Sequence, residues 1–133
     1  MLVDEPIITK RLDIAEIQKI IRSYQNPYIV IEQVHSVFGS SAKSNFTFGY
    51  VCGQLDAILK CNNIPHSKVP PKTWQKEMWV GVPKQDDNKA TSLLAATHIF
   101  PGVDFRATER SKKAHDGIVD AFLIAEYARR KNL

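Results

Sequence analysis

The run Tyr28-Ile29-Val30-Ile31-Glu32-Gln33-Val34 constrains the fold of this chain more than any other stretch. Most of its residues are β-branched or aromatic, and Pro27 precedes it, so it predicts a parallel strand that is buried on both faces. Glu32 is unexpected there, because an ionised carboxylate in an apolar core is costly without a cation, a metal or solvent beside it. Since ligands bind beyond the carboxyl ends of such strands, Glu32 is either a site residue or a side chain that leaves the sheet for solvent.

The segments on either side of this strand predict an α/β chain. Asp13 is typical of a helix N-cap, and the helix after it is indicated by apolar residues at Ile14, Ile17, Ile20, Ile21 and Tyr24. After the strand we predict a Ser- and Gly-rich loop over 35–45, a helix over 46–61 and a second parallel strand over 64–69, which together form a βαβ crossover. Gly49 and Gly53 predict that this helix packs closely against another backbone.

Three further helices are predicted in the second half of the chain. The first is started by Pro70-Pro71 and covers 72–79; the second covers 89–100, with Asp86 or Asp87 as its cap. Its core face is predicted at Leu93, Leu94, Ala96 and Ile99. The closing helix covers 114–131, and its inward residues are predicted to be Ile118, Ala121, Phe122, Ala125 and Ala128. With a short strand candidate over 6–10 and no internal repeat or linker, we expect one domain over residues 1–133.

The net charge of +4 is a mild indication of a polyanionic partner. Arg129, Arg130 and Lys131 are explained by the end of the closing helix, where cations are favoured. A second cluster lies before the start of that helix, where cations are disfavoured, so we expect an anion near Arg106, Arg110, Lys112 and Lys113.

Two further features indicate a cytoplasmic protein without a membrane segment. No apolar run is long enough to cross a bilayer, and no basic-then-apolar leader opens the chain. Cys52 and Cys61 lie too far apart along one predicted helix to form a disulfide, so we expect two buried thiols in a reducing compartment.

The closing helix carries two aspartates with the spacing of one helical turn. Asp116 and Asp120 therefore lie on the same face, where their like charges repel. Asp116 has a structural explanation as a cap or first-turn acid, whereas Asp120, beside the apolar stripe, has none. Because Mg²⁺ binds through a few carboxylates and keeps several waters, the pair together with Glu32 predicts a metal site, with solvated acids as the alternative.

Five motifs, taken in order, indicate a family. They are the Ile-Glu32-Gln-Val strand, the glycine-bearing helix after it, the Pro-Pro-Lys-Thr-Trp-Gln-Lys turn, the Lys89 helix, and the ending His-Asp116-Gly-Ile-Val-Asp120-Ala-Phe-Leu-Ile-Ala-Glu-Tyr. From Pro6 to Lys131 the chain resembles RuvC-like Holliday junction resolvases of the bacteriophage type, in the RNase H-like superfamily. The resemblance implies an α/β fold with a RuvC-type mixed sheet flanked by helices.

The resemblance also implies a metal-dependent endonuclease that resolves four-way DNA junctions, as a homodimer, in recombination, repair or phage DNA processing. The family holds two Mg²⁺ or Mn²⁺ ions with four acids, of which Glu32, Asp116 and Asp120 match three. In such sites one ion activates a water and the other stabilises the leaving oxygen. Lys76 and Lys89 match basic residues near the scissile phosphate, and His115 is a candidate ligand or proton carrier.

Several residues outside this centre are candidates for contact with DNA. Phe38, in the Ser-rich loop, is placed to stack on unpaired bases, whereas Phe46 and Phe48 are expected in the core. The candidate phosphate contacts are Lys43, Arg110, Lys112 and Lys113.

The chain departs from the family at its start. The family opens with a strand bearing Ile-Asp-Pro-Gly and a hairpin, and the stretch between Asp4 and Glu32 has no room for both. We therefore expect an N-terminally incomplete fold, with the missing segment truncated or encoded separately, and weak cleavage by this chain alone. The alternatives are a catalytically inactive DNA-binding or dimerising remnant, and an RNase H-like nuclease acting on flaps, forks or RNA–DNA hybrids.

Overall fold

The computed structural model describes residues 7–8, 11–35 and 38–133. These residues form a mixed α/β structure with five helices and a small parallel sheet of two strands, so the predicted α/β class is confirmed. The chain divides into two compact units between Lys68 and Val69. The complete RNase H-like sheet and the single domain over 1–133 stay predictions.

The first unit opens with a short antiparallel pair. Strand β1 (Ile7–Ile8) pairs with β2 (Arg11–Leu12), with Ile7 opposite Leu12; the rest of the strand predicted over 6–10 lies outside the described residues. Helix α1 (Ile14–Arg22) follows, and its predicted cap is confirmed, because the Asp13 carboxylate accepts the Glu16 N–H at 3.0 Å. Tyr24, predicted on the inner stripe, lies beyond the helix and is exposed.

The parallel sheet consists of β3 (Ile29–Glu32) and β4 (His66–Val69). The Ile29 N–H donates to the Pro65 carbonyl at 3.0 Å, and the hydroxyls of Tyr28 and Ser67 form a hydrogen bond. Both predicted strands are therefore confirmed with narrower bounds. Residues 29–32 are half-buried rather than fully buried, as expected of a strand in so small a sheet.

Helix α2 (Ala42–Cys61) begins at Ala42 rather than at Phe46, because the Ser41 hydroxyl accepts the Ser44 N–H at 3.1 Å and caps it. A Cβ atom at Gly49 or Gly53 would meet no atom of the described residues within 4 Å, so none of these residues packs closely against the two glycines. Cys61 is exposed rather than buried, and both cysteines are free thiols.

The second unit contains α3 (Pro71–Met78), α4 (Asn88–Ile99) and α5 (Asp116–Arg130), and α5 packs against both other helices. Trp74 and Leu123 are fully buried, and the Phe122 ring makes edge contacts with Phe100 and Phe105. The predicted core faces need correction. Leu93 is exposed, and the buried residues of α5 are Val119, Leu123, Ile124, Glu126 and Tyr127.

Among the described residues, no helix has both the length and the apolar content needed to cross a membrane.

Candidate cation and nucleic-acid site

The starts of α4 and α5 are joined by an ion pair. The Asp87 carboxylate caps α4 by accepting the Ala90 N–H at 2.7 Å, which places Lys89 in the first turn of that helix. Asp116 is the first residue of α5. The Lys89 Nζ lies 2.9 Å from the Asp116 Oδ2, so two helix N-termini meet through a lysine and an aspartate.

Three carboxylates act on the Lys89 ammonium. The hydrogen bond to Asp116 is the largest cause of a raised Lys89 pKa, followed by the charge of Asp116 and then by the charges of Asp87 and Asp120. Asp120 is half-buried one turn after Asp116. Of the two predicted aspartates of α5, Asp116 therefore contacts the Lys89 ammonium directly, and Asp120 acts on it through its charge.

His115 caps α5 rather than projecting freely from it. Its Nδ1 atom accepts a long hydrogen bond, 3.4 Å, from the Ile118 N–H. A Cβ atom on Gly117 would lie 3.1 Å from the His115 Cε1 and 3.3 Å from the Nδ1, so the ring folds over Gly117. Because Nδ1 accepts, the proton of the neutral imidazole lies on Nε2.

The predicted acids fall into two groups. Glu32 ends β3, as predicted, and is half-buried in the first unit, whereas Asp116 and Asp120 belong to the second. Among the described residues, no group of three or more His, Cys, Asp or Glu side chains is arranged to hold a metal ion. The convergence of Glu32 on the two aspartates stays a prediction. The donor chemistry of Asp116 and Asp120 fits one hard cation, since Mg²⁺ binds through one or two carboxylates and fills its other positions with water or phosphate.

The basic cluster before α5 contains one residue with a structural role. Arg106 binds Asp104 through two parallel hydrogen bonds, its Nε to Oδ1 at 2.9 Å and its Nη2 to Oδ2 at 2.7 Å. Its Nη1 donates to the carbonyls of Glu109 and Ser111. The bond from Arg106 lowers the Asp104 pKa to about 2. For Arg106 the expected anion is therefore Asp104, and the hydrogen bonds of Arg106 connect Asp104 to the carbonyls of the loop.

The remaining predicted cations lie on the surface. Lys76, in the last turn of α3, is exposed, as is Lys43 in the first turn of α2. The loop between α4 and α5 exposes Arg110, Lys112 and Lys113. These residues are accessible to a polyanion, and their assignment to DNA stays a prediction.

The cations at the end of α5 are paired with acids that sequence reasoning missed. Glu126 is buried, and it accepts from Arg129 at 2.7 and 2.8 Å and from Arg130 at 3.0 Å. The bond from Arg129 is the main cause that lowers the Glu126 pKa to about 2. Lys131 Nζ lies 3.1 Å from Glu77. The available signal was the spacing of Glu126, three and four residues before two arginines.

Aromatic side chains are exposed where α2 begins. Phe38 is fully exposed, as its predicted role requires. Phe46 and Phe48, which we predicted in the core, are 77% and 42% exposed, because the buried residues of α2 are confined to its C-terminal half. Tyr50 is 61% exposed one turn after Phe46, and the sequence analysis did not single it out.

No family model matches the sequence, and the search of curated proteins finds no match.

Proposed function

We propose that this chain is a RuvC-like domain of the RNase H-like superfamily that acts on branched DNA by divalent-cation-dependent hydrolysis of a phosphodiester. The observation that carries the proposal is the aspartate pair at the start of α5, where the Lys89 Nζ lies 2.9 Å from the Asp116 Oδ2. The β3–α2–β4 order supports the fold, since a strand, a helix and a parallel strand are what the resemblance requires there.

In this proposal Asp116 and Asp120, both in the second unit, hold the cation. Bound Mg²⁺ or Mn²⁺ would supply a nucleophilic water and stabilise charge on the phosphate oxygens. Lys89 and Lys76 are the candidate counter-charges for the phosphate itself. If His115 carries a proton, it does so at Nε2, because its Nδ1 caps the helix.

The proposed contacts with DNA are exposed cations, found in each of the two units, and one exposed ring in the first unit. Arg110, Lys112, Lys113 and Lys43 would neutralise phosphates, a contribution that weakens as salt rises. Phe38 would stack on bases left unpaired at a branch point. A homodimer would bring two copies of each of these contacts to a four-way junction.

One alternative has an observation in its favour. A catalytically inactive DNA-binding protein of the same descent is supported by the ion pair of Lys89 with Asp116 and by the absence of a three-acid group among the described residues. In that case the basic surface would keep its role, and the aspartates would serve only to anchor Lys89.

A cleavage assay separates the two proposals. Labelled four-way junctions, flaps, forks and RNA–DNA hybrids are incubated with Mg²⁺ or Mn²⁺ and either this chain or the chain extended by a family-type Ile-Asp-Pro-Gly strand and hairpin. We expect the extended chain to cleave junctions and Asp120→Asn to abolish the cleavage. If no residue of this chain supplies the bridging acid that the resemblance implies, cleavage by this chain alone should be roughly a thousandfold slower.

The other outcomes are equally informative. Junction binding without cleavage by the extended chain would favour the inactive protein. Brisk cleavage by this chain that Asp4→Asn abolishes would show that Asp4 completes the site. Preferential cleavage of flaps or hybrids would replace junctions as the substrate.

A further inference from the structure

We propose that Lys89 is the built-in counter-ion of the Asp116–Asp120 pair, and that it occupies in the resting protein the place that a divalent cation takes when it binds. This inference rests on the proposed function, because it concerns how the same two carboxylates take up a metal. It makes Lys89 a positioning residue that sets cation affinity.

The position of Lys89 in its helix is the first argument. It is the second residue of α4, where the helix dipole disfavours a cation. The contacts of Lys89 compensate for this, because its Nζ lies 2.9 Å from Asp116 and the charges of Asp87 and Asp120 also act on it. The Asp87 carboxylate is itself engaged by the Ala90 N–H at 2.7 Å. The ammonium is therefore directed to the start of α5.

The spacing of the aspartates is the second argument. Asp116 and Asp120 lie one turn apart on one helix, an arrangement that is unfavourable for two like charges. A positive charge beside them reduces this cost, and Lys89 brings such a charge to Asp116 at 2.9 Å. The resting protein thus has no need of a metal to keep the two carboxylates together.

The third argument is the solvent exposure of the Lys89 and Asp116 side chains, because an exposed ion pair can open and close. The Lys89 side chain is 72% exposed and that of Asp116 is 52% exposed. Exposed ion pairs are weak, and a lysine side chain is long and flexible, so Lys89 can leave Asp116 without disturbing the core. When the carboxylates take a divalent cation, the ammonium is repelled and becomes available to a phosphate.

The test is calorimetric titration of the full chain with Mn²⁺, without DNA. Lys89→Met should bind Mn²⁺ roughly threefold to tenfold more tightly than the wild type, because no bound ammonium competes for Asp116. Lys89→Arg, which keeps the charge, should behave as the wild type. Lys84→Met removes the same charge from an exposed loop position of the same unit and should change affinity by less than twofold. Thermal melting confirms that each variant is folded.

Asp116→Asn and Asp120→Asn distinguish a failure of this inference from a failure of the proposed function. If both weaken Mn²⁺ binding while Lys89→Met leaves it unchanged or weakens it, the carboxylate site stands and the role of Lys89 is wrong. If neither aspartate substitution affects Mn²⁺ binding, or if neither the wild type nor Lys89→Met binds Mn²⁺, the cation site fails and the inference with it. Binding by Lys89→Met where the wild type binds none would support the inference in its strongest form.

Discussion

Glu126 shows at the scale of one residue how a buried charge is kept in this fold. Its carboxylate is only 9% exposed, and the guanidinium groups of Arg129 and Arg130 donate three hydrogen bonds to it. A buried ion that loses its partners is strongly destabilising, whereas a satisfied one is tolerated. Glu126 therefore stabilises the end of α5 only while it is ionised.

We predict that Glu126→Gln lowers the free energy of unfolding by about 2 kcal/mol, since an amide cannot accept three hydrogen bonds from charged donors. Urea denaturation at neutral pH measures the loss. Glu109→Gln removes the same charge from an exposed loop position and should change stability by less than about 0.5 kcal/mol. Equal effects of the two substitutions would contradict the role of Glu126.

The pH dependence of stability follows from the same carboxylate. Its pKa is lowered from 4.5 to about 2 in the folded protein, so its contribution is fully present above pH 4.5 and is lost as the pH falls toward 2. Acid unfolding curves should show a smaller loss of stability across this window for Glu126→Gln than for the wild type. Parallel curves would mean that the Glu126 pKa is not lowered.

Gly117 and His115 form a second pair whose coupling is testable. Alanine is normally favoured over glycine in a helix by about 1 kcal/mol, but a Cβ on Gly117 would lie 3.1 Å from the His115 ring and displace the cap. Gly117→Ala should therefore stabilise the protein less in the wild type than in a His115→Ala background, by about 0.5–1 kcal/mol. A double-mutant cycle measures this, and identical effects in both backgrounds would exclude the coupling.

At the scale of elements, helix starts were predictable where the capping residue is an aspartate. Asp13 accepts a backbone N–H three residues ahead, as predicted, and of the two candidates Asp86 and Asp87 it is Asp87 that caps α4 in the same way. Ser41 caps α2 in the same way, but several serines precede that helix, and the sequence does not say which one is the cap. A helix start depends on which side chain caps it, so the sequence predicts the first residue of a helix only when a single capping residue is available there.

The cap of α4 yields a prediction with a neighbouring control. Asp87→Ala should lower the free energy of unfolding by about 1 kcal/mol, because the Ala90 N–H loses its acceptor. Asp86→Ala removes the same charge one residue earlier, at an exposed position, and should have little effect. Denaturation of both variants checks this, and a larger loss for Asp86→Ala would reverse the assignment of the cap.

The buried faces of the helices were less predictable than their bounds. The inward face predicted for α5 contained Ile118, Ala121, Phe122, Ala125 and Ala128. The buried residues centre instead on Val119 and Leu123. Because α5 packs against both α3 and α4, its apolar surface is wide, and hydrophobic spacing alone does not fix its centre. In α2 the glycines and Phe46 were assigned to the interior by type, whereas burial is confined to residues near Ile58 and Leu59.

The exposed rings at the start of α2 give a prediction for binding. Phe38→Ala should weaken binding to a four-way junction by about 1–3 kcal/mol, the contribution of one base stacked on an aromatic ring. Tyr24→Ala removes a half-exposed ring elsewhere in the first unit and should leave binding unchanged. Fluorescence anisotropy with a labelled junction is the measurement. Equal losses for both variants would show that Phe38 makes no specific contact.

At the scale of the whole molecule, the sequence predicted the α/β class, the order of the elements and the aspartate pair of α5. It did not predict that Lys89 would be the cation on Asp116, because these residues are far apart in the chain and nothing local links them. The sequence also did not indicate that Arg106 is paired with Asp104, in contrast to Arg110, Lys112 and Lys113, which belong to the same basic cluster. Contacts between distant elements depend on packing, and composition does not encode them.

Binding to branched DNA tests the central claim most directly. The affinity of the full chain for a four-way junction and for a duplex of matched sequence is measured by gel shift over a series of salt concentrations. We expect tighter binding to the junction, with log K falling steeply against log salt in proportion to the phosphates neutralised, and a shallower slope for Lys112→Gln/Lys113→Gln. Equal affinity for both DNAs, unaffected by salt, would contradict the proposal that this chain acts on branched DNA.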